Sequence, residues 1–141
     1  MSSPTAVRYA REQDLHVDEF ARVLDESGLG ATRPLGDPVR LQAMLKGAGM
    51  IVTARLDRAD RRLVGVSRTV TDFAWCAYLA ELAVSRSAQG LGVGRGLLDE
   101  TRRLLGPQVT LVLTSMPDVT GFYERAKMAR VPDTFWYKRQ A

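Results

Sequence analysis

The chain has 141 residues, of which 45% are hydrophobic and 26% charged, and this composition predicts one globular domain over residues 1–141. The net charge of +4 is spread along the chain without a basic block, so no nucleic-acid partner is expected, whereas a small polyanionic ligand is compatible with it. No apolar run is long enough to span a bilayer and the amino terminus lacks the pattern of a secretory signal, so we expect a cytoplasmic protein with no membrane partner.

Apolar periodicity and capping residues predict ten elements. In chain order they are a strand at 6–9, a helix that Asp14 caps and that stops near Gly28, a helix from Asp37 to Gly47, strands at 50–57, 63–73 and 77–84, a helix closed by Gly106-Pro107, a strand at 109–114, a helix at 119–128 and a strand at 134–139. The polar turn at 57–62 predicts an antiparallel hairpin between the second and third strands. This order of elements indicates an α/β domain with a mixed sheet.

A glycine-rich connection between the strand at 77–84 and the next helix is the most informative segment. It carries glycines at 90, 92, 94 and 96, which let backbone N–H groups converge beside the positive end of a helix. Such a loop predicts a cradle for a phosphate or pyrophosphate, with Arg95 at its rim. The loop matches neither the P-loop nor the dinucleotide-binding pattern, and a glycine-rich turn without a ligand is the alternative.

Two short motifs resemble those of one family. The residues from Gln89 to Gly94 have the pattern Gln-x-x-Gly-x-Gly, and the strand before them ends in Leu-Ala-Val at 82–84. Further on, residues 121–128 are similar to a helix with the sequence Phe-Tyr-Glu-Lys-Leu-Gly-Phe. Together they resemble the acyl-CoA signature and the following helix of the GNAT superfamily of N-acetyltransferases.

The resemblance implies a fold and a reaction. The fold is a single α/β domain with a mixed, mostly antiparallel central sheet, whose parallel fourth and fifth strands splay apart, and with helices on both faces. The reaction is transfer of an acetyl group from acetyl-CoA to a primary amine by direct attack in a ternary complex. The acceptor, a small-molecule or peptide amine, is not identified by any sequence feature. A non-catalytic acyl-CoA-binding module is the alternative, since Met116 and residues 127–128 depart from the family pattern.

The resemblance also assigns roles to single residues. The pantetheine arm of acetyl-CoA would bind the backbone of Leu82, Ala83 and Val84, and the N–H of Leu82 is the expected oxyanion donor. The pyrophosphate would bind the backbone amides of Gln89, Gly90, Leu91, Gly92, Val93, Gly94 and Arg95. Tyr123 would act as the general acid that protonates the leaving thiolate, and the alternative is that Phe122 and Tyr123 are aromatic core of a short helix. Glu81 is a candidate base, directly or through water, and the alternative is a charged strand residue that faces solvent or pairs with an arginine.

The only cysteine and the only histidine have no predicted catalytic role. A single cysteine, Cys76, excludes an internal disulfide and a structural zinc cluster, and nothing beside it in the sequence favours a reactive thiol. His16 is expected at the surface, and with one histidine neither a Ser-His-Asp triad nor a multi-histidine metal site is expected. We therefore expect no metal.

Aromatic residues and loops outside the motifs have two interpretations each. Phe73 and Trp75 line an acceptor pocket or belong to the core, and Trp136 and Tyr137 belong to the core or to a subunit interface. The loop at 29–35 is a candidate cover for the acceptor. An exposed last strand keeps a homodimer open as an alternative to a monomer.

Overall fold

The computed structural model of the chain describes residues 6–141, which form five strands and four α-helices. In chain order these are β1 (Val7–Arg11), α1 (Val17–Ser27), α2 (Pro38–Gly47), β2 (Met50–Leu56), β3 (Leu63–Thr71), β4 (Cys76–Val84), α3 (Val93–Leu105), β5 (Thr110–Val112) and α4 (Thr120–Arg125). Short 3₁₀ turns lie at Leu29–Thr32, Arg86–Ala88 and Pro117–Val119. No helix in the described part of the chain is long and apolar enough to cross a membrane.

The strands form one mixed sheet in the order β1-β2-β3-β4-β5. The first four strands are antiparallel neighbours, and β5 pairs with β4 in parallel. The parallel pairing runs only from Cys76 opposite Thr110 to Tyr78 opposite Val112, after which the two strands separate. This arrangement confirms the predicted fold class, including the splayed fourth and fifth strands.

A β-bulge interrupts the pairing of β3 with β4 close to this separation. Arg68 of β3 lies opposite Glu81, but the next residue, Thr69, lies opposite Leu79. Ala80 is therefore the extra residue of β4, and the bulge turns the following side chains of the strand to the opposite face. The bulge thus decides which face of the sheet Glu81 occupies.

Helices cover both faces of the sheet. On one face α1 and α2 bury an apolar cluster against the strands, made of Phe20, Val23, Leu24, Leu41, Leu45, Ile51, Leu63, Val66 and Ala83. On the other face α3 packs against Met50, Val52 and Val64, and α4 with its C-cap adds Phe122 and Ala126 beside Leu79 and Leu98. A buried hydrogen bond of 2.7 Å between the hydroxyls of Ser67 and Thr101 joins β3 to α3.

The start of α1 differs from the prediction. His16, not Asp14, is the N-cap, and its Nδ1 accepts a hydrogen bond from the Asp18 amide at 3.1 Å. Leu15 is buried in the core, and its burial fixes the chain just before the helix. The helix therefore begins after His16, so its N-cap lies two residues past Asp14. The helix ends as predicted at Gly28, whose φ of 87° is in the left-handed region.

The carboxyl-terminal prediction of a strand at 134–139 is wrong. Residues 129–141 form no helix or strand, and Trp136 and Tyr137, expected in the core or at a subunit interface, are exposed and so do not belong to the core. The β-prone composition of residues 134–139 is not sufficient for a strand, because a strand must also hydrogen-bond to the edge of a neighbouring strand. The preceding helix is also shorter than predicted, since it ends at Arg125 and Lys127 takes a φ of 67°.

Candidate active site

The unpaired edge of β4 is the first part of the site. From Leu79 to Val84, β4 pairs with β3 on one side and has no strand partner on the side of β5 within residues 6–141. Leu82, Ala83 and Val84, expected to hold an extended ligand, all lie on this stretch. Unpaired backbone N–H and C=O groups require partners, so this edge suits a ligand that hydrogen-bonds like another strand.

The loop after β4 forms the second part of the site. Gly90 and Gly92 have φ values of 83° and 79°, a region that side chains with a Cβ rarely adopt, and a Cβ on either would point into open space. Gly92 is the N-cap of α3, and no side chain caps that helix. The amides of its first turn are therefore directed to the loop, where they can bind an anion.

The other two glycines of the segment, Gly94 and Gly96, lie in the first turns of α3 and serve packing. A Cβ on Gly94 would lie 3.4 Å from the Phe122 ring, and a Cβ on Gly96 would overlap the Tyr9 ring. Gly94 thus lets α4 approach the first turn of α3 closely, and Gly96 lets the same helix approach β1. The regular spacing of the four glycines predicts one role, a phosphate cradle. In the structure Gly90 and Gly92 take the left-handed backbone of the loop, whereas Gly94 and Gly96 allow close packing.

Tyr123 follows Phe122 in α4, the residue whose ring packs against Gly94. Its ring meets Phe122 edge to face, with ring centroids 5.0 Å apart, and its side chain is half-buried. Burial raises the pKa of the Tyr123 hydroxyl above its ordinary value of 10.0. The hydroxyl therefore keeps its proton at neutral pH, as a general acid must before the reaction.

Glu81 forms a buried ion pair with an arginine, which is one of the roles expected for a charged residue at this strand position. Its two carboxylate oxygens accept hydrogen bonds from Arg68 at 2.8 and 2.9 Å, and its side chain has no exposed surface. A second guanidinium, that of Arg33, lies 3.8 Å from the same carboxylate. The base role of Glu81 stays a prediction, and the carboxylate would have to act while it is paired.

Arg33 connects the loop at 29–35 to β4. Its Nη2 donates a 2.8 Å hydrogen bond to the carbonyl of Ala80, the bulged residue. The sequence gives no signal for this contact, because 47 positions separate the two residues and no local pattern joins them. Arg68 was also missed, although the register of the β3–β4 hairpin could have indicated that it faces Glu81.

Ser85 anchors the glycine-rich loop at its start. Its buried hydroxyl donates a 2.7 Å hydrogen bond to Glu26 of α1, and its amide donates to the Val64 carbonyl at 2.8 Å. The hydrogen bond from Ser85, followed by that from Arg22, lowers the pKa of the Glu26 carboxyl. A side chain of the loop, Gln89, also donates to the Val84 carbonyl at 3.1 Å. The loop is therefore fixed to the domain on both sides of the 3₁₀ turn.

The remaining candidates lie away from these parts. Cys76 is exposed at the start of β4, and His16 caps α1. Phe73 and Trp75 are 41% and 77% exposed in the β3–β4 turn, so neither belongs to the core. Arg95, in the first turn of α3, forms a half-exposed ion pair of 3.0 Å with Asp99.

Comparison with known proteins identifies the class to which this fold and site belong. The family model described as the Acetyltransferase (GNAT) family matches residues 17–127, from the first residue of α1 to just past α4. The chain therefore belongs to the GNAT family of acetyltransferases, and the protein is an acyltransferase by class.

Relatives in sequence and structure agree with this family. The chain is 26% identical over 134 residues to the uncharacterized N-acetyltransferase ycf52 of Pyropia yezoensis, an alignment that covers 90% of this chain and 75% of the relative. The fold is similar to that of the GNAT family protein SP0256 of Streptococcus pneumoniae, with a TM-score of 0.70, 20% identity and coverage of 96% of this chain and 100% of the other. It is also similar to the aminoglycoside N-acetyltransferase AAC(6')-Iy, solved in complex with CoA, with a TM-score of 0.71, 11% identity and coverage of 100% and 99%.

Proposed function

We propose that this protein transfers an acetyl group from acetyl-CoA to a primary amine. The observation that carries the proposal is the unpaired edge of β4, which leads directly into the glycine-rich loop and the uncapped start of α3. An extended ligand with a pyrophosphate at one end fits both features at once. A fold neighbour, AAC(6')-Iy, was solved with CoA, and this supports the same cosubstrate here.

The chain's own groups would hold the cosubstrate mainly through backbone. Leu82, Ala83 and Val84 would hydrogen-bond the pantetheine arm at the open edge of β4. The pyrophosphate would accept hydrogen bonds from amides of the loop, in the segment from Gln89 to Arg95. Because the left-handed glycines at 90 and 92 leave open space above the loop, phosphate oxygens can approach those amides closely.

The transfer step is a direct displacement. The amine nitrogen forms a bond to the thioester carbonyl carbon, the C–S bond breaks, and the departing sulfur takes the Tyr123 hydroxyl proton. The N–H of Leu82 would stabilise the negative charge on the carbonyl oxygen during attack. The nitrogen loses its proton to Glu81 through water, because both oxygens of that carboxylate already accept hydrogen bonds from Arg68. Water then carries that proton from Glu81 to Tyr123, so that both groups regain their starting protonation states.

The acceptor would bind on the face of the sheet that Glu81 occupies. There Arg33 holds the loop at 29–35 against Ala80, where β4 and β5 have begun to separate. This loop supplies one side of the acceptor site, and its fixed position would select the acceptor by shape. Acetylation assays with a panel of small-molecule and peptide amines would identify the class of acceptor.

Thermal unfolding with and without acetyl-CoA tests the cosubstrate half. A ligand at 100 times its dissociation constant adds about 2.7 kcal/mol of stability, which raises the Tm of a domain of this size by roughly several degrees. We expect this rise in the wild type and its loss in Gly92→Glu. Gly106→Glu is a matched control, since Gly106 has a φ of 84°, open space at Cβ and a position at the other end of α3.

The outcomes separate the candidate functions. A rise in the wild type and in Gly106→Glu but not in Gly92→Glu supports the loop as the pyrophosphate site. Binding without turnover of any amine in the panel would favour a non-catalytic acyl-CoA-binding module. A folded wild type that shows no rise at saturating acetyl-CoA would contradict the proposal.

A further inference from the structure

An apolar row lies on the Glu81 face of the sheet, next to the gap between β4 and β5. Val70 lies opposite Tyr78 and Tyr78 lies opposite Val112, so the row crosses β3, β4 and β5. Val70 follows Arg68 by two positions, which places both side chains on the same face of β3. Because Arg68 lies opposite Glu81, the apolar row shares its face with the Glu81 carboxylate.

The apolar row is open to solvent, although the neighbouring part of the same face is covered. Val70, Tyr78 and Val112 are 46%, 45% and 40% exposed. By contrast Ile51, which lies opposite Arg68 on this face, is fully buried in the apolar cluster under α1 and α2. Tyr78 and Val112 are also the last residues that pair before β4 and β5 separate. A ligand that enters the gap from this face therefore contacts the row.

The acidic residues beside the apolar row are engaged inside the domain. In β3, β4, β5, the β3–β4 turn and the loop at 29–35, the acidic residues are Asp72 and Glu81. Both oxygens of Glu81 accept hydrogen bonds from Arg68, and its side chain has no exposed surface. Asp72 accepts three hydrogen bonds from backbone amides of its own turn. Asp118 lies in the turn that leads into α4, the helix on the opposite face.

Positive charge is in excess where the apolar row meets the site. Arg68 pairs with both oxygens of Glu81, and the Arg33 guanidinium lies 3.8 Å from the same carboxylate. Two guanidinium groups therefore face one carboxylate. An acceptor with a second cation would meet this excess charge without a partner. An apolar group would instead cover the row and remove its surface from water. Charge and hydrophobicity thus favour the same kind of acceptor.

We propose that the acceptor is a primary amine carried on an apolar body, and that the apolar row binds that body. This inference rests on the proposed acetyl transfer, whose acceptor class it names. The amine nitrogen reaches the gap between β4 and β5 while the carbon chain or ring lies on Val70, Tyr78 and Val112. Tyr78 is the centre of the row and the last residue of β4 before the gap, so it is the main determinant of specificity.

Hexylamine and 1,6-diaminohexane test this selectivity, because they share a six-carbon chain and differ only in a second ammonium group. At saturating acetyl-CoA, kcat/KM for hexylamine should exceed that for 1,6-diaminohexane by about 10-fold or more. Tyr78→Ser should lower kcat/KM for hexylamine by about 10-fold through a higher KM at unchanged kcat, because the row binds the ground state and the transition state equally.

Charge variants test the same row in the opposite direction. Val112→Asp and Val70→Asp should each shift the preference toward 1,6-diaminohexane, since the new carboxylate can pair with the second ammonium group. Val39→Asp adds the same charge at an 80% exposed position of α2 and should leave the preference unchanged. The acetyl-CoA-dependent rise in Tm shows for each variant that the domain is folded and binds the cosubstrate.

Calorimetric titration of both amines into protein saturated with CoA measures binding without acetyl transfer. Tighter binding of hexylamine that Tyr78→Ser weakens would support the row, and if neither amine were then acetylated, only the transfer reaction would be contradicted. Acetylation of 1,6-diaminohexane as efficiently as hexylamine would overturn the acceptor class and leave the transfer reaction standing. A preference that survives Tyr78→Ser and both charge variants would overturn the role of the row, as would no binding of either amine.

Discussion

Glu81 and Arg68 form a bidentate ion pair inside the domain, with two N–H···O hydrogen bonds of 2.8 and 2.9 Å and no exposed surface on the carboxylate. The pair lies directly beside the β-bulge of β4, three residues past Tyr78, the last residue of β4 that pairs with β5. A buried charge is tolerated only when it is paired. The register of β3 and β4 supplies the partner, because it places Arg68 directly opposite Glu81. The ion pair thus fixes the strand at the place where the site opens.

The first prediction concerns this ion pair. Arg68→Met should destabilise the protein by about 3–5 kcal/mol, because it leaves the buried Glu81 carboxylate without its main partner. The double variant Arg68→Met/Glu81→Met should recover most of that loss, since two apolar side chains need no partner. Urea unfolding of the wild type, both single variants and the double variant measures the coupling. Additive single effects would contradict the role of the pair.

The second prediction concerns Tyr123. Tyr123→Phe should lower kcat by about 10²-fold or more and leave the acetyl-CoA-dependent rise in Tm unchanged, because only the acidic proton is lost. Tyr137→Phe removes an equivalent hydroxyl from an exposed ring and should leave kcat unchanged. Burial raises the pKa of Tyr123 above 10.0, so the protonated form required for catalysis should persist to that pH and be lost only above it. The assignment would be contradicted if the kcat of the wild type fell with rising pH already near neutral pH and the kcat of Tyr123→Phe fell over the same pH range.

The third prediction concerns stability in acid. Arg55 of β2 donates hydrogen bonds to Glu12 at 2.9 and 3.0 Å and to Glu19 of α1 at 2.8 and 2.9 Å. The hydrogen bonds from Arg55 lower the pKa of Glu19 below its ordinary value of 4.5. A lowered folded-state pKa adds stability above the unfolded value, and this stability is lost as the pH falls through the folded value.

Arg55→Met should therefore be less stable than the wild type at pH 7, and the difference should shrink as the pH falls below 4.5. Urea unfolding at a series of pH values measures this convergence. Arg58→Met is the control, since Arg58 pairs with Asp60 in an exposed turn and should change stability little at any pH. A constant difference between Arg55→Met and wild type across the acid range would show that Arg55 acts through packing alone.

The fourth prediction concerns the close approach of α3 to β1. Gly96→Ala should destabilise the protein by about 1–3 kcal/mol, because the new Cβ would overlap the Tyr9 ring. Gly47→Ala, in α2 with open space at Cβ, should be neutral or slightly stabilising by the helix preference of alanine. Thermal unfolding of both variants compares the two sites. Equal effects would mean that the Tyr9 ring moves aside at little cost.

Patterns local in the chain were sufficient for much of the fold and for the glycine-rich loop. The alternation of apolar residues predicts β1 to β5 within a few positions, and the glycine-rich segment that contains Gly90 and Gly92 predicts the loop before α3. These predictions succeed because strand alternation, helix caps and left-handed turns depend on neighbouring residues. Because such features depend on residues that are close in the sequence, a single sequence is enough to predict them.

Only the tertiary structure decided which distant groups meet. It paired Glu81 with Arg68 and Arg33, joined Ser85 to Glu26, and left residues 134–139 unpaired although their composition predicts a strand. Each of these outcomes depends on which surfaces face each other after the sheet and helices pack. A side chain's type limits the partners it can accept, but the packing of the whole chain determines which of them it finds.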